Sequence, residues 1–216
     1  KKSKLLRPNL RVDAFVVTED ILPTALIAKS QRGETLKESS VEEETSQFSL
    51  SEFEVIEVKE GGVGDRVCVD LTSLLGMGEG ILVGSSANSM ILVHGETVES
   101  EFVPTRPFRV NAGSVNSYVL NADWSTSYLS ELKMGDEVMV VNQDGHCRSA
   151  TVGRVKIEKR PFILFRWRDE KHNEAGTLLQ QAETVRLVSA SRDLVSITEL
   201  KSKTTLLGWS GGSGRH

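Results

Sequence analysis

Two arginines and an asparagine stand close together in the stretch TRPFRVNAG at residues 105–113. Arg106 and Arg109 each carry a planar, always charged guanidinium group, which pairs naturally with a carboxylate or a phosphate. Their positions differ in parity, so both can reach one ligand only if Pro107 bends the chain. Asn111 begins an Asn-Ala-Gly-Ser sequence that is typical of a turn. We therefore predict that Arg106, Arg109 and Asn111 bind the substrate.

Surface salt bridges are the alternative role for the two arginines. Glu99 and Glu101 precede them closely and could pair with both guanidinium groups. Exposed pairs of this kind contribute little to stability. The pattern by itself leaves the two roles open.

His94 and Glu96 lie two residues apart, so an extended chain points both side chains the same way. An imidazole titrates near neutral pH and can accept a proton, while a neighbouring carboxylate can orient it. We predict that the two form a catalytic acid/base pair. The alternative is a structural histidine held by Glu96 at a sheet edge. Two candidate ligands do not make a metal site, so none is predicted.

Glycines recur at positions 76, 78, 80 and 84. Their order, G-x-G-x-G, differs from the G-x-G-x-x-G that opens a helix in the Rossmann dinucleotide fold. The following ILVGSSANSMILVH alternates around a Ser-Ser-Ala-Asn-Ser turn and predicts a β-hairpin. Gly78, Gly80 and Gly84 are interpreted as a loop that lets the backbone approach a cofactor; the alternative is that they serve tight β-turns.

Ordered blocks along the chain resemble a known family. They are VGDRVCVDL at 63–71, GEGILVGSS at 78–86, LVHGET at 92–97, TRPFRVNAG at 105–113, YLSELKMGDEV at 128–138, VGRVKIEKRP at 152–161 and QQAETVRLV at 180–188. The chain in this respect is similar to the archaeal type of 3-dehydroquinate synthase, 3-dehydroquinate synthase II. The resemblance implies an NAD-dependent oxidative deamination of an amino-dideoxy-heptulosonate, followed by ring closure to 3-dehydroquinate on the shikimate route to aromatic amino acids.

Within that reaction each candidate residue has an expected role. Arg106 and Arg109 would hold the substrate carboxylate near the nicotinamide, and His94, oriented by Glu96, would accept the proton lost from the amine. The loop from Gly78 to Gly84 would approach NAD. Family members carry a longer N-terminal portion than this chain, so a non-catalytic homologue that acts as an interaction or assembly subunit is the alternative. Convergence of the arginines, His94 and Glu96 on one pocket would favour the enzyme.

Composition narrows the partners and the compartment. The 216 residues carry 26 basic and 30 acidic side chains, a net charge of -4, which creates no global field for nucleic acid or for an anionic membrane. An RNA-binding module is disfavoured because only 6% of the residues are aromatic. The expected partner is a small-molecule substrate, and a homo-oligomer is one possible assembly. The apolar runs are too short to span a membrane. Cys68 and Cys147 lack CxxC spacing, which favours a reducing compartment, the cytoplasm or alternatively a plastid.

The predicted fold is mainly β, with a β-barrel-like C-terminal region behind a short α/β segment. Residues 10–17 predict a strand and 19–29 a short helix, and the polar run to residue 52 predicts a linker. Residues 53–216 are expected to form the β-rich domain, either as one unit or as two small subdomains, 53–125 and 126–216. The motif E-L-K precedes a strand in both parts of that domain, which suggests duplication.

Three finer features of the β-rich domain are also predicted. A turn at GGVGD, residues 61–65, separates two strands, and a further strand begins after Pro161. Phe165 and Trp167 share parity and are expected in the core. In VKIEKRP, Lys156, Lys159 and Arg160 surround Glu158, and such a basic cluster could meet a phosphate but is more often a solvated face.

Overall fold

The structure, a computed structural model, describes residues 46–47, 49–99 and 104–211. The strand predicted at 10–17, the helix predicted at 19–29 and most of the polar linker lie outside the described residues. Inside them most residues lie in antiparallel strands, which confirms the mainly β prediction.

Thirteen strands and one short 3-10 helix make up the described part of the chain. The strands are β1 Ser46–Gln47, β2 Ser51–Leu71, β3 Glu79–Ser86, β4 Ser89–His94, β5 Arg109–Ser114, β6 Tyr118–Leu120, β7 Thr126–Tyr128, β8 Glu137–Asn142, β9 His146–Arg168, β10 Glu174–Gln180, β11 Arg186–Val188, β12 Leu194–Ser196 and β13 Thr205–Ser210, and the 3-10 helix is Leu129–Glu131. The hairpin predicted around the Ser-Ser-Ala-Asn-Ser turn is confirmed as β3 and β4.

Six of these strands close into a ring. The pairings run from β3 to β4, then to β13, β2, β9 and β8, and β8 returns to β3, with every pair antiparallel. Closure removes exposed sheet edges from these six strands. The ring confirms the barrel-like architecture. It takes β2, β3 and β4 from the first predicted subdomain and β8, β9 and β13 from the second, so the two share one sheet.

The two long strands β2 and β9 pair with each other along most of their length, and this corrects two predictions. The expected turn at 61–65 is an irregularity within β2, between Glu60 and Val63, where Gly62 has φ 75°. Pro161 lies opposite Val63 at that irregularity, so β9 continues through it instead of starting anew. A bulge tolerates a proline that has no N–H to give to the ladder, and the strands therefore pass through unbroken.

Strands β5 and β10 flank the long pair, β5 on β2 and β10 on β9. The Asn-Ala-Gly-Ser sequence predicted to be a turn is therefore strand β5. Gly113 has φ 113°, and a Cβ there would lie 2.6 Å from the carbonyl oxygen of Leu178 in β10. The glycine is needed because β5 and β10 approach each other so closely.

Both faces of β3, β4 and β8 are buried along most of their length. Ile81, Ile91 and Val93 belong to the larger core with Phe165 and Trp167, and these five side chains are fully buried. The rings of Phe165 and Trp167 lie 5.4 Å apart, which confirms their predicted core position. A second cluster takes the alternate residues of the same strands: Leu82, Met90, Leu92, Met139 and Val141. Burial on two faces explains why these strands are continuous apolar runs.

The internal duplication extends well beyond the E-L-K motif. Strands at 118–120, 126–128 and 137–142 recur at 186–188, 194–196 and 205–210, an offset of 68 residues. The hairpin bond from Asn121 N–H to the carbonyl of Ser125 recurs from Ser189 to Asp193, both at 2.9 Å. Where the first copy has Gly135 at φ 94°, the second has Lys203 at φ 72°. The second copy keeps the turn although it lacks the glycine.

Candidate functional site

Pro107 bends the chain between the two arginines. The Arg109 N–H donates to the Arg106 carbonyl at 2.8 Å and closes a turn with Pro107 at its second position. The Arg106 N–H donates to the Glu96 carbonyl, and the Glu96 N–H donates to the Arg109 carbonyl, both at 2.8 Å. These bonds clamp the turn and place Glu96 beside both arginines.

Arg106 pairs with Glu96 through its side chain as well. A guanidinium nitrogen lies 3.3 Å from Glu96 Oε2, with the Arg106 side chain 35% exposed and that of Glu96 9% exposed. Among the described residues, Arg106 pairs with Glu96 and not with Glu99, one of the two partners in the alternative from sequence. The other, Glu101, lies outside the described residues. Arg106 is the partly accessible arginine of the two.

Arg109 makes a buried fork-to-fork pair with Asp70 in β2. Its Nε and one Nη donate to the two carboxylate oxygens at 2.6 and 2.9 Å, and the side chains are only 11% and 7% exposed. Burial acts to raise the pKa of Asp70, but hydrogen bonds from Arg109 and Arg154 outweigh it and hold that pKa below its usual value. The hydrogen bond from Arg109 to Asp70 likewise raises the pKa of Arg109. Asp70 therefore occupies two of the donors of Arg109, which favours Arg106 as the arginine that meets the substrate. The role of the two arginines in substrate binding stays a prediction. Asp70, Glu96, Arg106 and Arg109 are called the charged cluster below.

A row of buried polar side chains on β2 leads away from the charged cluster, and sequence reasoning missed it. Arg66, Cys68 and Asp70 alternate with core valines, so they share one face of the strand. Arg66 donates to the Cys68 sulfur and to Glu158 on β9. Burial raises the pKa of Cys68 to about 11 despite the nearby arginines, so this cysteine is a thiol and not a nucleophile. The alternation in RVCVDL was the available signal.

Asn111 lies on the same polar face, opposite Cys68. Its side-chain nitrogen donates to Gln180 Oε1 at 2.8 Å. Its Oδ1 is buried without a hydrogen-bond partner, as is Nε of Arg66. Buried polar atoms without partners are rare, which makes this face a place where a ligand or a water is expected.

His94 is engaged elsewhere. The Gly78 N–H donates to its Nε2 at 2.9 Å, and the ring is 2% exposed. Burial is the main cause that lowers the pKa of His94 to about 4. The histidine is therefore neutral, with its proton on Nδ1. Glu96 pairs with Arg106 rather than with His94, which corrects the predicted acid/base pair: β4 ends at His94, so strand alternation no longer aligns the two side chains.

The glycines of the predicted cofactor loop are used for packing. A Cβ on Gly80 would lie 2.0 Å from the Val93 carbonyl oxygen, and one on Gly84 would lie 2.4 Å from that of Ser89. Gly78 has φ 81° and gives its N–H to His94. Neighbouring backbone therefore occupies the space beside Gly80 and Gly84, which favours a packing role for these two glycines. Their assignment to cofactor binding stays a prediction.

Comparison with known proteins settles the family. Residues 52–216 match the family model described as the 3-dehydroquinate synthase II C-terminal domain. The chain belongs to the 3-dehydroquinate synthase II family. It is 48% identical over 177 residues to a 3-dehydroquinate synthase of Methanothermobacter thermautotrophicus, with 82% of this chain and 46% of the relative covered. It is 48% identical over 192 residues to that of Archaeoglobus fulgidus, with 88% and 59% covered.

The chain spans about half the length of these curated relatives. No solved structure matched it significantly. Across residues 46–47, 49–99 and 104–211 there is no group of three or more His, Cys, Asp or Glu side chains that could hold a metal ion. A search of that same part for a helix long and apolar enough to cross a membrane also found none.

Proposed function

We propose that this chain supplies the substrate-binding part of a type II 3-dehydroquinate synthase. The reaction is the oxidative deamination of an amino-dideoxy-heptulosonate, with NAD as the oxidant, and closure of the ring to 3-dehydroquinate. The observation that carries the proposal is the charged cluster at the junction of β2, β4 and β5. Burying so many charges costs free energy, and sites that orient a charged substrate are where proteins tolerate that cost.

The chemistry of the substrate matches the Arg106 and Glu96 pair. An α-amino acid carries a carboxylate and an ammonium group on the same carbon, and a guanidinium beside a carboxylate is complementary to both. Arg106 has five N–H donors, its side chain is 35% exposed, and within the described part of the chain its ion pair is one long contact to Glu96 at 3.3 Å, so it has donors for the substrate carboxylate. Glu96 then faces the ammonium group.

Glu96 is the proton acceptor in this scheme. The amine must lose a proton before its carbon can release a hydride, and a carboxylate already held beside the carboxylate-binding arginine is well placed to take it. His94 is unsuited to the step because its Nε2 already accepts a hydrogen bond and its pKa is lowered to about 4. Arg109, locked to Asp70, is a positioning residue: its backbone N–H closes the turn that presents Arg106.

NAD supplies the hydride acceptor when it is bound. The glycines of β3 do not fit a dinucleotide, because their Cα positions are covered by neighbouring strands. The donor chemistry of a row of basic side chains on β9, Arg154, Lys156 and Arg160, does fit its diphosphate.

A non-catalytic assembly subunit is the competing role. Glu96, Arg106 and Arg109 converge and His94 does not, so most of the predicted constellation stands together. This arrangement favours the enzyme.

The test follows NADH formation from the amino-dideoxy-heptulosonate. It uses the 216-residue chain alone and a version that carries the N-terminal portion of the Archaeoglobus relative. Arg106→Ala is expected to raise KM and lower kcat/KM by roughly 10- to 100-fold, since a charge-assisted hydrogen bond contributes about 1.5 to 3 kcal/mol. Glu96→Gln is expected to lower kcat with little change in KM.

Arg168→Ala is the matched control. The Arg168 side chain is 36% exposed and lies 3.4 Å from its partner Glu54. This variant therefore removes a comparable surface ion pair, at the end of the β2 and β9 pair that lies far from the charged cluster. Absence of turnover in both chains, or equal losses in the Arg106 and Arg168 variants, would overturn the proposal.

A further inference from the structure

A row of exposed cations crosses one face of β9. Arg154, Lys156 and Arg160 occupy even positions of the strand, so their side chains point to the same side. The three side chains are 63%, 46% and 40% exposed. They are called the cation row below. The opposite residues of β2 are Asp70, Cys68 and Gly64.

Two carboxylates are shared among the cation row and its buried neighbours. Glu158 accepts from Arg66 at 2.8 Å and from Lys156 and Arg160 at 3.1 Å each. Hydrogen bonds, first from Lys156, hold the pKa of Glu158 below its usual value, so this carboxylate is charged at neutral pH.

Asp70 accepts from both Arg109 and Arg154. Five cations therefore surround two carboxylates, a local surplus of positive charge in a chain whose net charge is -4. Counting the Arg106 and Glu96 pair adds one charge of each sign and leaves the surplus unchanged.

A purely structural ion-pair network has no need of such a surplus. Like charges held this close repel one another, and the repulsion is strongest where burial reduces screening, as at Arg66 and Arg109. Each arginine has five N–H donors and the lysine has three, so these five side chains carry more donors than the two carboxylates can accept. A bound anion would relieve the repulsion and take up the remaining donors.

We propose that the cation row binds the diphosphate group of a ligand. Two linked phosphoryl groups present more acceptor oxygens and more negative charge than one carboxylate, and they can contact cations at separate points along a strand, where alternate residues lie about 7 Å apart. Glu158 and Asp70 hold the long side chains in place beforehand, which reduces the entropy lost on binding. The assignment of this diphosphate to a dinucleotide rests on the proposed function; the anion site itself does not.

The experiment titrates the 216-residue chain with inorganic pyrophosphate by isothermal calorimetry, at low and at moderate salt. Saturable binding that weakens as salt rises is expected. The double variant Lys156→Gln/Arg160→Gln is expected to bind at least about tenfold more weakly, because two charge-assisted contacts are lost.

Lys159→Gln is the matched control. Lys159 is exposed, next to Arg160 and three residues from Lys156. It lies opposite Asp65, and its side chain points to the other face of the β2 and β9 pair, so a positive charge is removed from the face that does not carry the cation row. Its pyrophosphate affinity is expected to stay within about twofold of the original. The proposal is overturned if the unmodified chain shows no saturable binding, if the double variant binds as well as the unmodified chain, or if Lys159→Gln weakens binding as much.

A competition arm identifies the source of the diphosphate. If ADP-ribose displaces pyrophosphate, and if the double variant also binds ADP-ribose more weakly than the unmodified chain does, the site holds the diphosphate of a dinucleotide. If ADP-ribose has no effect, the site takes free or otherwise carried phosphate, and the anion site still stands. Failure of the proposed function is separate, since it would appear as absent NADH formation while pyrophosphate binding persists.

Discussion

Removing the carboxylate of Asp70 should destabilise the fold strongly. The Arg109 side chain is only 11% exposed. In Asp70→Ala its guanidinium therefore stays buried and loses both hydrogen bonds to the Asp70 carboxylate. Leaving one partner of a buried pair uncompensated costs about 3 to 5 kcal/mol. Arg154 also loses its partner, but its side chain is 63% exposed and regains water, so it adds little.

Urea denaturation of the 216-residue chain measures this cost as a shift in the free energy of unfolding. The control is Glu57→Ala, which removes a partly exposed carboxylate paired with Lys59 and Arg166 and should change the free energy of unfolding far less than Asp70→Ala does. The double variant Asp70→Leu/Arg109→Met replaces the pair by apolar side chains of similar shape. It should recover most of the lost stability but not the activity.

The pH dependence gives a second check on Asp70. Its folded-state pKa lies below the ordinary value of 3.8, so its contribution is fully present above that value and is lost as pH falls through the lower, folded pKa. Asp70→Asn should therefore unfold with a shallower acid dependence in this range than the unmodified chain. A cost below about 1 kcal/mol for Asp70→Ala would show that the Arg109 pair is not buried as described and would refute the reasoning.

Two further predictions concern the barrel strands. Gly80→Ala should lower the free energy of unfolding in urea by about 1 to 3 kcal/mol or more, because its Cβ would overlap the Val93 carbonyl oxygen at 2.0 Å. The control Gly76→Ala, whose Cβ would lie 3.6 Å from the nearest atom, should lower it by less than about 1 kcal/mol. Equal losses in the two variants would contradict the packing role of Gly80. NMR should show His94 neutral in the folded chain until the pH falls towards about 4. An unfolded histidine already binds a proton near pH 6.5, so the folded chain should lose stability as the pH falls from 6.5 to about 4. Titration of His94 near 6.5 in the folded chain would contradict its burial.

Much of the fold followed from local patterns because the strands are regular. Alternation and the Ser-Ser-Ala-Asn-Ser turn were enough to predict the β3 and β4 hairpin, and shared parity was enough to place Phe165 and Trp167 in the core. The errors occur where tertiary pairing overrides local breakers. Gly62 and Pro161 each suggest an interruption, yet Pro161 pairs with Val63, directly after Gly62, and a single irregularity in the ladder accommodates both.

The site shows the same division. Pro107 predicted the bend that brings Arg106 and Arg109 to one place, because its fixed φ acts locally. The partners of the arginines could not be predicted, since Asp70 is 39 residues from Arg109 in sequence and becomes its neighbour only when β5 pairs with β2. The predicted contact between His94 and Glu96 was wrong because parity holds only while a strand continues, and β4 ends at His94.

Asp70 connects the two proposed sites. One of its oxygens accepts from Arg109, whose backbone presents Arg106 and Glu96, and the other accepts from both Arg109 and Arg154 at the end of the cation row. An anion that draws Arg154 outwards would leave Asp70 with Arg109 as its main partner, strengthening the pair that fixes the substrate turn. Substitution of Asp70 should therefore disturb both substrate turnover and pyrophosphate binding, whereas substitution of Glu158, which touches only Arg66 and the cation row, should disturb pyrophosphate binding alone.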